Sequence, residues 1–293
     1  MRRLIVLVFS CVALLGASCS RFHNAPTEAK DARYVVISPI YNEIIWALGA
    51  QNTVVGIDLS TTYPPEVKNV QTVGYHRALS AEGILSLHPT AIIHDNNIGP
   101  PQVVQQLQQL NIPMKTFAAK NDSFDGTKAL IREMGTYFHK EQRAEELCKR
   151  LDQQLAAAQE EVKKYTDKPR VAIIHFGRAS NVFMVVGKRG GEGGGGGALI
   201  EMAGGENAIQ ADNMQRMASP EIIAQANPDV ILVTNYGYDY AGGTVDAIKA
   251  LPGVGTSNAA KNGKIYRVEE NELMYWGPRT GDNLLKLAKL IHQ

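Results

Sequence analysis

The chain has 293 residues, of which 44% are hydrophobic and 20% are charged. This composition supports one large domain or two smaller ones and argues against extensive disorder. The 30 Lys and Arg residues are balanced by 29 Asp and Glu residues, which leaves a net charge of +1 and no basic field for nucleic acid. Three cysteines in a chain of this length do not build a disulfide-stapled scaffold.

The first 18 residues have the pattern of a secretory signal peptide. Arg2 and Arg3 precede a mostly apolar run, Leu4–Leu15, and small residues lead into Cys19. The run covers about 18 Å of helix, too short for a hydrocarbon core of about 30 Å. The residues before Cys19 resemble a lipoprotein processing site, so we expect an acylated Cys19, a polar tether over 19–32 and a location in the cell envelope. Simple cleavage without acylation is the alternative.

A duplicated segment organises the rest of the chain. Residues Ser80–Ile93 align without a gap with Ser219–Leu232, and serine, glutamate, isoleucine and proline coincide. Each copy has the pattern of an N-cap serine, a short helix with an acid in its first turn, a proline that stops the helix and a buried strand. The repeat therefore predicts two similar α/β lobes.

Other short apolar runs, separated by helical patterns, indicate parallel βαβ architecture. They are Tyr34–Ile37, Val54–Ile57, Val171–His175 and Val230–Thr234. Between the halves, apolar residues recur every three or four positions, which predicts one long rigid helix over 140–165. We therefore expect an α/β fold of two Rossmann-like lobes with parallel sheets, at 33–139 and 166–293, joined by that helix.

Two motifs carry a family resemblance. The run Val73-Gly-Tyr75-His-Arg77-Ala-Leu-Ser-Ala-Glu82 and the segment Trp276-Gly-Pro-Arg279-Thr resemble the haem-binding branch of the substrate-binding proteins of ABC-type importers. That class carries haem, cobalamin and ferric siderophores on two lobes joined by a long helix. The resemblance implies a monomeric periplasmic protein without enzymatic activity, haem as the transported ligand and an ABC permease as the partner.

The resemblance makes Tyr75 the axial ligand of the haem iron and Arg77 the partner of its phenolate. Tyrosine is an established ligand of haem iron. The free phenol has a pKa near 10, so the iron and a nearby cation must favour its ionised form. A surface turn is the alternative interpretation of the Gly-Tyr-His-Arg loop.

Four further residues, His76, His175, Arg279 and Tyr275, are candidates for the haem site. His76 is either a competing iron ligand or a pocket wall, and His175 either approaches haem from the second lobe or is a hydrogen-bonded strand-end histidine. Arg279 either pairs with a haem propionate or forms a structural salt bridge. Tyr275, Trp276, Tyr236, Tyr238 and Tyr240 could offer flat apolar faces to the porphyrin. For Tyr236, Tyr238 and Tyr240, ordinary loop packing is the alternative.

Glu82 and Glu221 occupy the same position in the two repeat copies. In the family that the motifs resemble, one acid in each lobe binds arginines of the permease, so these two are the predicted docking residues. An exposed acid at a helix start is also favourable because of the helix dipole alone.

Two other functions remain open. Cobalamin or a ferric siderophore could replace haem as the cargo. The run Gly190–Gly197 contains a match to the dinucleotide fingerprint after the strand-like Val182–Val186, which would instead suggest an NAD-dependent oxidoreductase. A mobile loop at the rim of the cleft is the other interpretation of the glycines.

Overall fold

The first half of the protein forms a five-stranded sheet. A computed structural model describes residues 32–178, 180–188, 195–217 and 219–293. The predicted signal peptide, Cys19 and nearly all of the predicted tether lie outside these ranges. The strand order is β3-β2-β1-β4-β5, and all neighbours are parallel. The strands are β1 (Tyr34–Ile37), β2 (Val54–Ile57), β3 (Gln71–Thr72), β4 (Ala91–His94) and β5 (Met114–Lys115).

Five α-helices accompany this sheet. They are α1 (Pro39–Leu48), α2 (Ala81–Leu85), α3 (Pro101–Gln109), α4 (Phe124–Tyr137) and α5 (Glu141–Val162). Helix α1 begins directly after β1 because Ser38 is extended and its hydroxyl accepts the Tyr41 N–H, while Pro39 fits the first helical position. Gly49, with φ 75°, ends the helix in a left-handed conformation.

The second half contains a mixed sheet with the order β11-β10-β6-β7-β9, and β8 pairs with β6. Its strands are β6 (Arg170–Gly177), β7 (Val182–Val185), β8 (Glu206–Asn207), β9 (Gln215–Arg216), β10 (Val230–Thr234) and β11 (Ile265–Val268). The prediction of a wholly parallel sheet is wrong here, because β7 is antiparallel to both β6 and β9. The few residues between β6 and β7 are too short for a parallel crossover.

Seven further helices lie in the second half as the structure describes it. They are α6 (Gly195–Met202), α7 (Glu221–Ala226), α8 (Asn235–Tyr240), α9 (Val245–Lys249), α10 (Asn258–Lys261), α11 (Glu270–Leu273) and α12 (Thr280–Ile291). No helix among the described residues is both long and apolar enough to cross a membrane.

Helix α5 is the predicted long helix between the two sheets. It has 22 residues, slightly fewer than the range 140–165 predicts. Its buried positions include Ala144, Leu147 and Leu151, and it packs against both α4 and α12. One hydrophobic core runs from α4 through α5 into the second sheet, where Ile173 is fully buried. This shared core makes α5 a structural support, as its periodicity predicts.

The internal repeat is confirmed in the fold, although its two helix starts differ. Ser80 caps α2 by accepting the Gly83 N–H at 3.3 Å. In the second copy, Pro220 occupies the N-cap position and no side chain caps α7, so the predicted cap at Ser219 is wrong. Ser219 instead hydrogen-bonds to Glu221 and thereby lowers the pKa of that carboxyl. The strands that follow, β4 and β10, each lie between two parallel neighbours.

The glycine run has a packing role where the structure describes it. Gly195–Gly197 form the first turn of α6, and a Cβ on Gly197 would lie 2.5 Å from the Gly187 carbonyl oxygen. The dinucleotide interpretation fails because that fingerprint links a parallel strand to its helix, whereas β7 is antiparallel. Residues 189–194 lie outside the described ranges, and the predicted rim loop stays a prediction.

Candidate functional site

A cavity of about 350 Å³ lies where the carboxyl ends of strands from both sheets meet. Ser60, Tyr75 and Asn97 line it from loops that follow β2, β3 and β4. From the second half, Arg178 follows β6 and Glu270 follows β11. Parallel α/β sheets bind their ligands at this edge. The cavity is therefore the candidate ligand-binding cleft.

The loop that presents Tyr75 is held by backbone hydrogen bonds. The Gly74 carbonyl accepts the Leu59 N–H at 2.8 Å, the Tyr75 carbonyl accepts the Ala78 N–H at 2.8 Å and the His76 carbonyl accepts the Gly99 N–H at 2.8 Å. Gly74 has φ 97°, a conformation that L side chains rarely adopt. These bonds fix the backbone from which Tyr75 reaches the cleft wall.

Charges of both signs surround the Tyr75 phenol. Burial raises its pKa above the ordinary value. The guanidiniums of Arg77 and Arg178 oppose this by favouring the phenolate, while Glu270 and Asp58 reinforce it. Without a further cation, the phenol is therefore neutral near pH 7. Arg77 donates from Nε to Asn97 Oδ1 at 2.9 Å, which fixes the guanidinium at the cleft.

His76 lies beside Tyr75 with 4.3 Å between the ring centroids. Its Nδ1 is 3.0 Å from Ser60 Oγ and 3.5 Å from Asp58 Oδ2. Asp58 is fully buried and accepts hydrogen bonds from the Ser60 N–H and the Thr61 hydroxyl. Because Nδ1 is held by these groups, Nε2 is the ring nitrogen that remains for a ligand.

His175 lines the same cavity from the opposite sheet. It lies inside β6 rather than at its end, because the strand continues to Gly177. Its Nδ1 is 3.3 Å from Thr234 Oγ1, and burial lowers its pKa. A neutral imidazole therefore faces the cleft. The structure brings Tyr75, His76, Arg77 and His175 together as the sequence predicted, but their roles toward a ligand stay predictions.

The sequence analysis missed an ion pair in the cleft wall. Arg178 Nη2 is 3.2 Å from Glu270 Oε2, and the side chains are 17% and 9% exposed. The guanidinium lies over the ring of Tyr236 at 4.2 Å. Tyr275 donates to Glu270 Oε1 at 3.3 Å, and burial holds the pKa of Tyr275 well above its usual value. The available signal was the position of Arg178 directly after a strand at the ligand-binding edge.

Arg279 has other partners than the predicted propionate. Its Nε and Nη2 donate to the two carboxylate oxygens of Glu43 at 3.0 and 2.9 Å, and Nη1 lies 3.5 Å from Glu272. The guanidinium also covers the ring of Tyr63 at 3.4 Å. Because all three nitrogens are engaged, the geometry favours the structural salt bridge over propionate binding.

The predicted aromatic faces divide between the surface and the core. Trp276 is 3% exposed and packs against Phe124, so it offers no surface to a porphyrin. Residues 236–240 form helix α8 rather than a loop. Tyr236 and Tyr240 therefore share one helix face, stacked near Phe176, and remain 40% and 54% exposed. Tyr238 instead packs against a separate hydrophobic cluster of the second sheet, which includes Ile174 and Val233.

A second cavity of about 590 Å³ adjoins the cleft and shares its lining residues His76, Asn97 and Tyr275. This second cavity lies at the carboxyl ends of β1, β4 and β5. Three methionines add apolar surface to the first cavity: Met184, Met214 and Met274. Together the two cavities have the volume range of pockets that hold small organic ligands.

The two repeat acids lie at the surface. Glu82 and Glu221 are both exposed in the first turns of α2 and α7. This placement is compatible with the predicted docking role, which stays a prediction.

The comparisons with known proteins agree with this geometry. Residues 35–272 match the family model of the periplasmic binding proteins, and the chain belongs to this family. The solved structure of the periplasmic haem-binding protein RhuT from Roseiflexus sp. RS-1, in its apo form, is similar, with 34% identity and a TM-score of 0.80. The match covers 89% of this chain and 98% of RhuT.

Two further proteins have similar sequences. The ABC transporter substrate-binding lipoprotein YvrC of Bacillus subtilis is 26% identical over 89% of this chain and 80% of its own length. The cobalamin-binding protein of Halobacterium salinarum is 25% identical over 90% of this chain and 70% of its own length. This protein is therefore a substrate-binding transport protein rather than an enzyme, with a small-molecule ligand and an ABC permease as its partner.

Proposed function

We propose that this protein is an extracytoplasmic haem-binding protein that delivers haem to an ABC permease for haem and iron uptake. The observation that carries the proposal is the placement of Tyr75. A loop held by backbone hydrogen bonds presents its phenol on the cleft wall, where Arg77 and Arg178 both favour the phenolate. Ferric iron takes a phenolate as an axial ligand, and the iron itself supplies the remaining bias toward ionisation.

The other cleft residues suit the rest of a haem molecule. The three methionines and Tyr275 offer apolar surface to a porphyrin, and His76 and His175 present imidazoles on either side of the cleft. The similarity to RhuT, a periplasmic haem-binding protein, supports the same ligand. In this proposal Cys19 is the lipid anchor at the membrane surface, and Glu82 and Glu221 contact the permease.

Titration of the purified mature protein with hemin, followed by absorption spectroscopy, tests the proposal. Tyr75→Phe keeps the ring and removes only the phenol oxygen. We expect it to lose the ferric phenolate absorption bands and to weaken binding. Tyr266→Phe, in β11 and outside the two cavities described above, is the matched control and keeps both.

Cobalamin is the second candidate, because relatives such as the Halobacterium protein bind it. Parallel titrations with cyanocobalamin and with a ferric siderophore separate the cargoes. Saturable binding of hemin alone supports the proposal. Tight binding of either other ligand without hemin binding contradicts it, and a Tyr75→Phe variant with the unchanged hemin spectrum contradicts the assignment of Tyr75.

A further inference from the structure

Arg178 is a cleft residue whose side-chain contacts leave N–H donors for a ligand. It is 17% exposed, and its contact with Glu270 uses one nitrogen, Nη2, at 3.2 Å. The face of its guanidinium rests on the ring of Tyr236, which holds the plane but uses no N–H donor. A guanidinium carries five N–H donors, so the contact with Glu270 leaves others for a ligand.

Arg279 differs from Arg178 in both its free N–H donors and its access to the cavities. Arg279 is equally exposed, at 17%, yet its Nε and Nη2 bind both oxygens of Glu43 and its Nη1 approaches Glu272. It also lies outside the lining of both cavities, whereas Arg178 lines the first. An arginine that binds a ligand carboxylate needs both an open donor and access to the ligand. Arg178 meets both conditions.

The charges of the cleft wall point to an anionic ligand. In the part of the wall that the structure describes, the guanidiniums of Arg77, Arg178 and Arg216 accompany one carboxylate, that of Glu270. The adjoining cavity is lined by Asp95, Asp122 and Lys120, and the buried Asp58 lies 3.5 Å from Nδ1 of His76. A wall with this excess of positive charge attracts anions and gives a neutral ligand no comparable gain.

We propose that Arg178 binds a carboxylate of the ligand and makes the cleft selective for tetrapyrroles with ionised carboxylates over those with ester or amide side chains. The inference rests on the proposed function and adds to it the substrate class. Arg178 keeps its contact with Glu270 through Nη2 and directs its other nitrogens to the ligand. A charge-assisted bond of this kind is among the stronger hydrogen bonds in proteins.

The experiment compares two ligands on three proteins. Hemin and hemin dimethyl ester share the iron and the ring, but the ester lacks ionised propionates. Both are titrated into the wild type, Arg178→Gln and the matched control Arg132→Gln, whose arginine pairs with Glu145 on the α4–α5 surface. We expect the wild type and the control to prefer hemin at least about tenfold, and Arg178→Gln to lose about tenfold of that preference.

Each outcome decides a separate point. Equal affinity of the wild type for hemin and its ester overturns the inference without any variant and leaves the proposed function intact. A preference that survives in a folded Arg178→Gln protein overturns the role of Arg178. If the wild type binds neither compound, the proposed function itself fails. Phenolate absorption bands that persist in Arg178→Gln with hemin show that the loss of preference does not come from displacement of Tyr75.

Discussion

Arg279 and Glu43 are 236 positions apart in the chain and form a two-pronged ion pair, with N–O distances of 3.0 and 2.9 Å. Glu43 lies in the middle of α1, and Arg279 immediately precedes α12. The pair is nearly buried, with exposed side-chain fractions of 6% and 17%. It therefore ties α1 to α12 and supports a structural role for Arg279, while the propionate assignment of this residue stays a prediction.

The first prediction concerns this pair. Arg279→Gln leaves the Glu43 carboxylate buried without its partner, and we expect the free energy of unfolding to fall by about 3 kcal/mol. Urea denaturation measures the loss. Arg132→Gln, which breaks an exposed pair with Glu145, serves as the control and costs less than about 1 kcal/mol. Hemin affinity should not change. An Arg279→Gln protein with normal stability and weakened hemin binding would restore the propionate assignment.

A second prediction tests how closely the last helix packs against the long helix. A Cβ on Gly281 in α12 would lie 2.8 Å from the Leu155 backbone nitrogen in α5 and would also overlap Gln154. Gly281→Ala therefore forces the helices apart, and we expect a loss of about 2 kcal/mol or more in thermal or urea unfolding. The matched control is Gly83→Ala in α2, where the nearest side-chain atom would be 3.8 Å away. Equal stability of the two variants would contradict the packing.

Most of the fold follows from local sequence patterns. The strands at Tyr34–Ile37, Val54–Ile57 and Val230–Thr234 have the predicted bounds, because fully buried parallel strands are continuous apolar runs. The period of α5 was equally clear. The strand-like run Val182–Val186 indicated β7, but its antiparallel direction was not predicted, because that direction depends on the length of the connection to β6 and not on the residues of the strand itself.

Residues of the site could be predicted only where they lie close together in the sequence. Tyr75, His76 and Arg77 are consecutive, so one motif indicated all three. Arg178 and Glu270 meet only after β6 and β11 bring their carboxyl ends to the same edge, and no local pattern encodes that contact. For Arg279, residue type and context suit either a ligand or a salt bridge. Its ion pair with the distant Glu43 favours the salt bridge.

The third prediction concerns acid stability. His94 is 7% exposed at the end of β4, burial lowers its pKa, and its Nδ1 accepts the Asn96 N–H at 3.2 Å. An unfolded histidine titrates near 6.5, so below that pH the unfolded chain binds a proton that folded His94 resists. Stability from this group is complete above about pH 6.5 and is lost as the pH falls through the lower folded pKa.

His94→Asn keeps an acceptor close to the position of Nδ1 and cannot titrate. We expect its free energy of unfolding to fall less than that of the wild type between pH 7 and pH 5. His175, whose pKa burial also lowers, contributes the same trend to both proteins. The exposed His139→Asn is the control, with the wild-type pH dependence. Identical slopes for His94→Asn and the wild type would show that His94 is not the group that titrates.

The last prediction concerns the two repeat acids. The hydrogen bond from Ser219 lowers the pKa of Glu221, so this exposed carboxylate keeps its charge in mildly acidic surroundings. Two exposed acids at equivalent places in the two repeat units suit a permease surface with matching twofold symmetry. The combined variant Glu82→Lys and Glu221→Lys should therefore lower hemin-dependent growth of cells that carry the permease by about tenfold or more, with unchanged hemin affinity of the purified protein.

The control variant combines Glu141→Lys with Glu160→Lys, which reverse two exposed charges on α5. Cells with this variant should take up hemin normally. Because both double variants change the net charge equally, a loss confined to the first pair identifies these acids as the docking contacts, whereas equal growth of the two strains excludes that role.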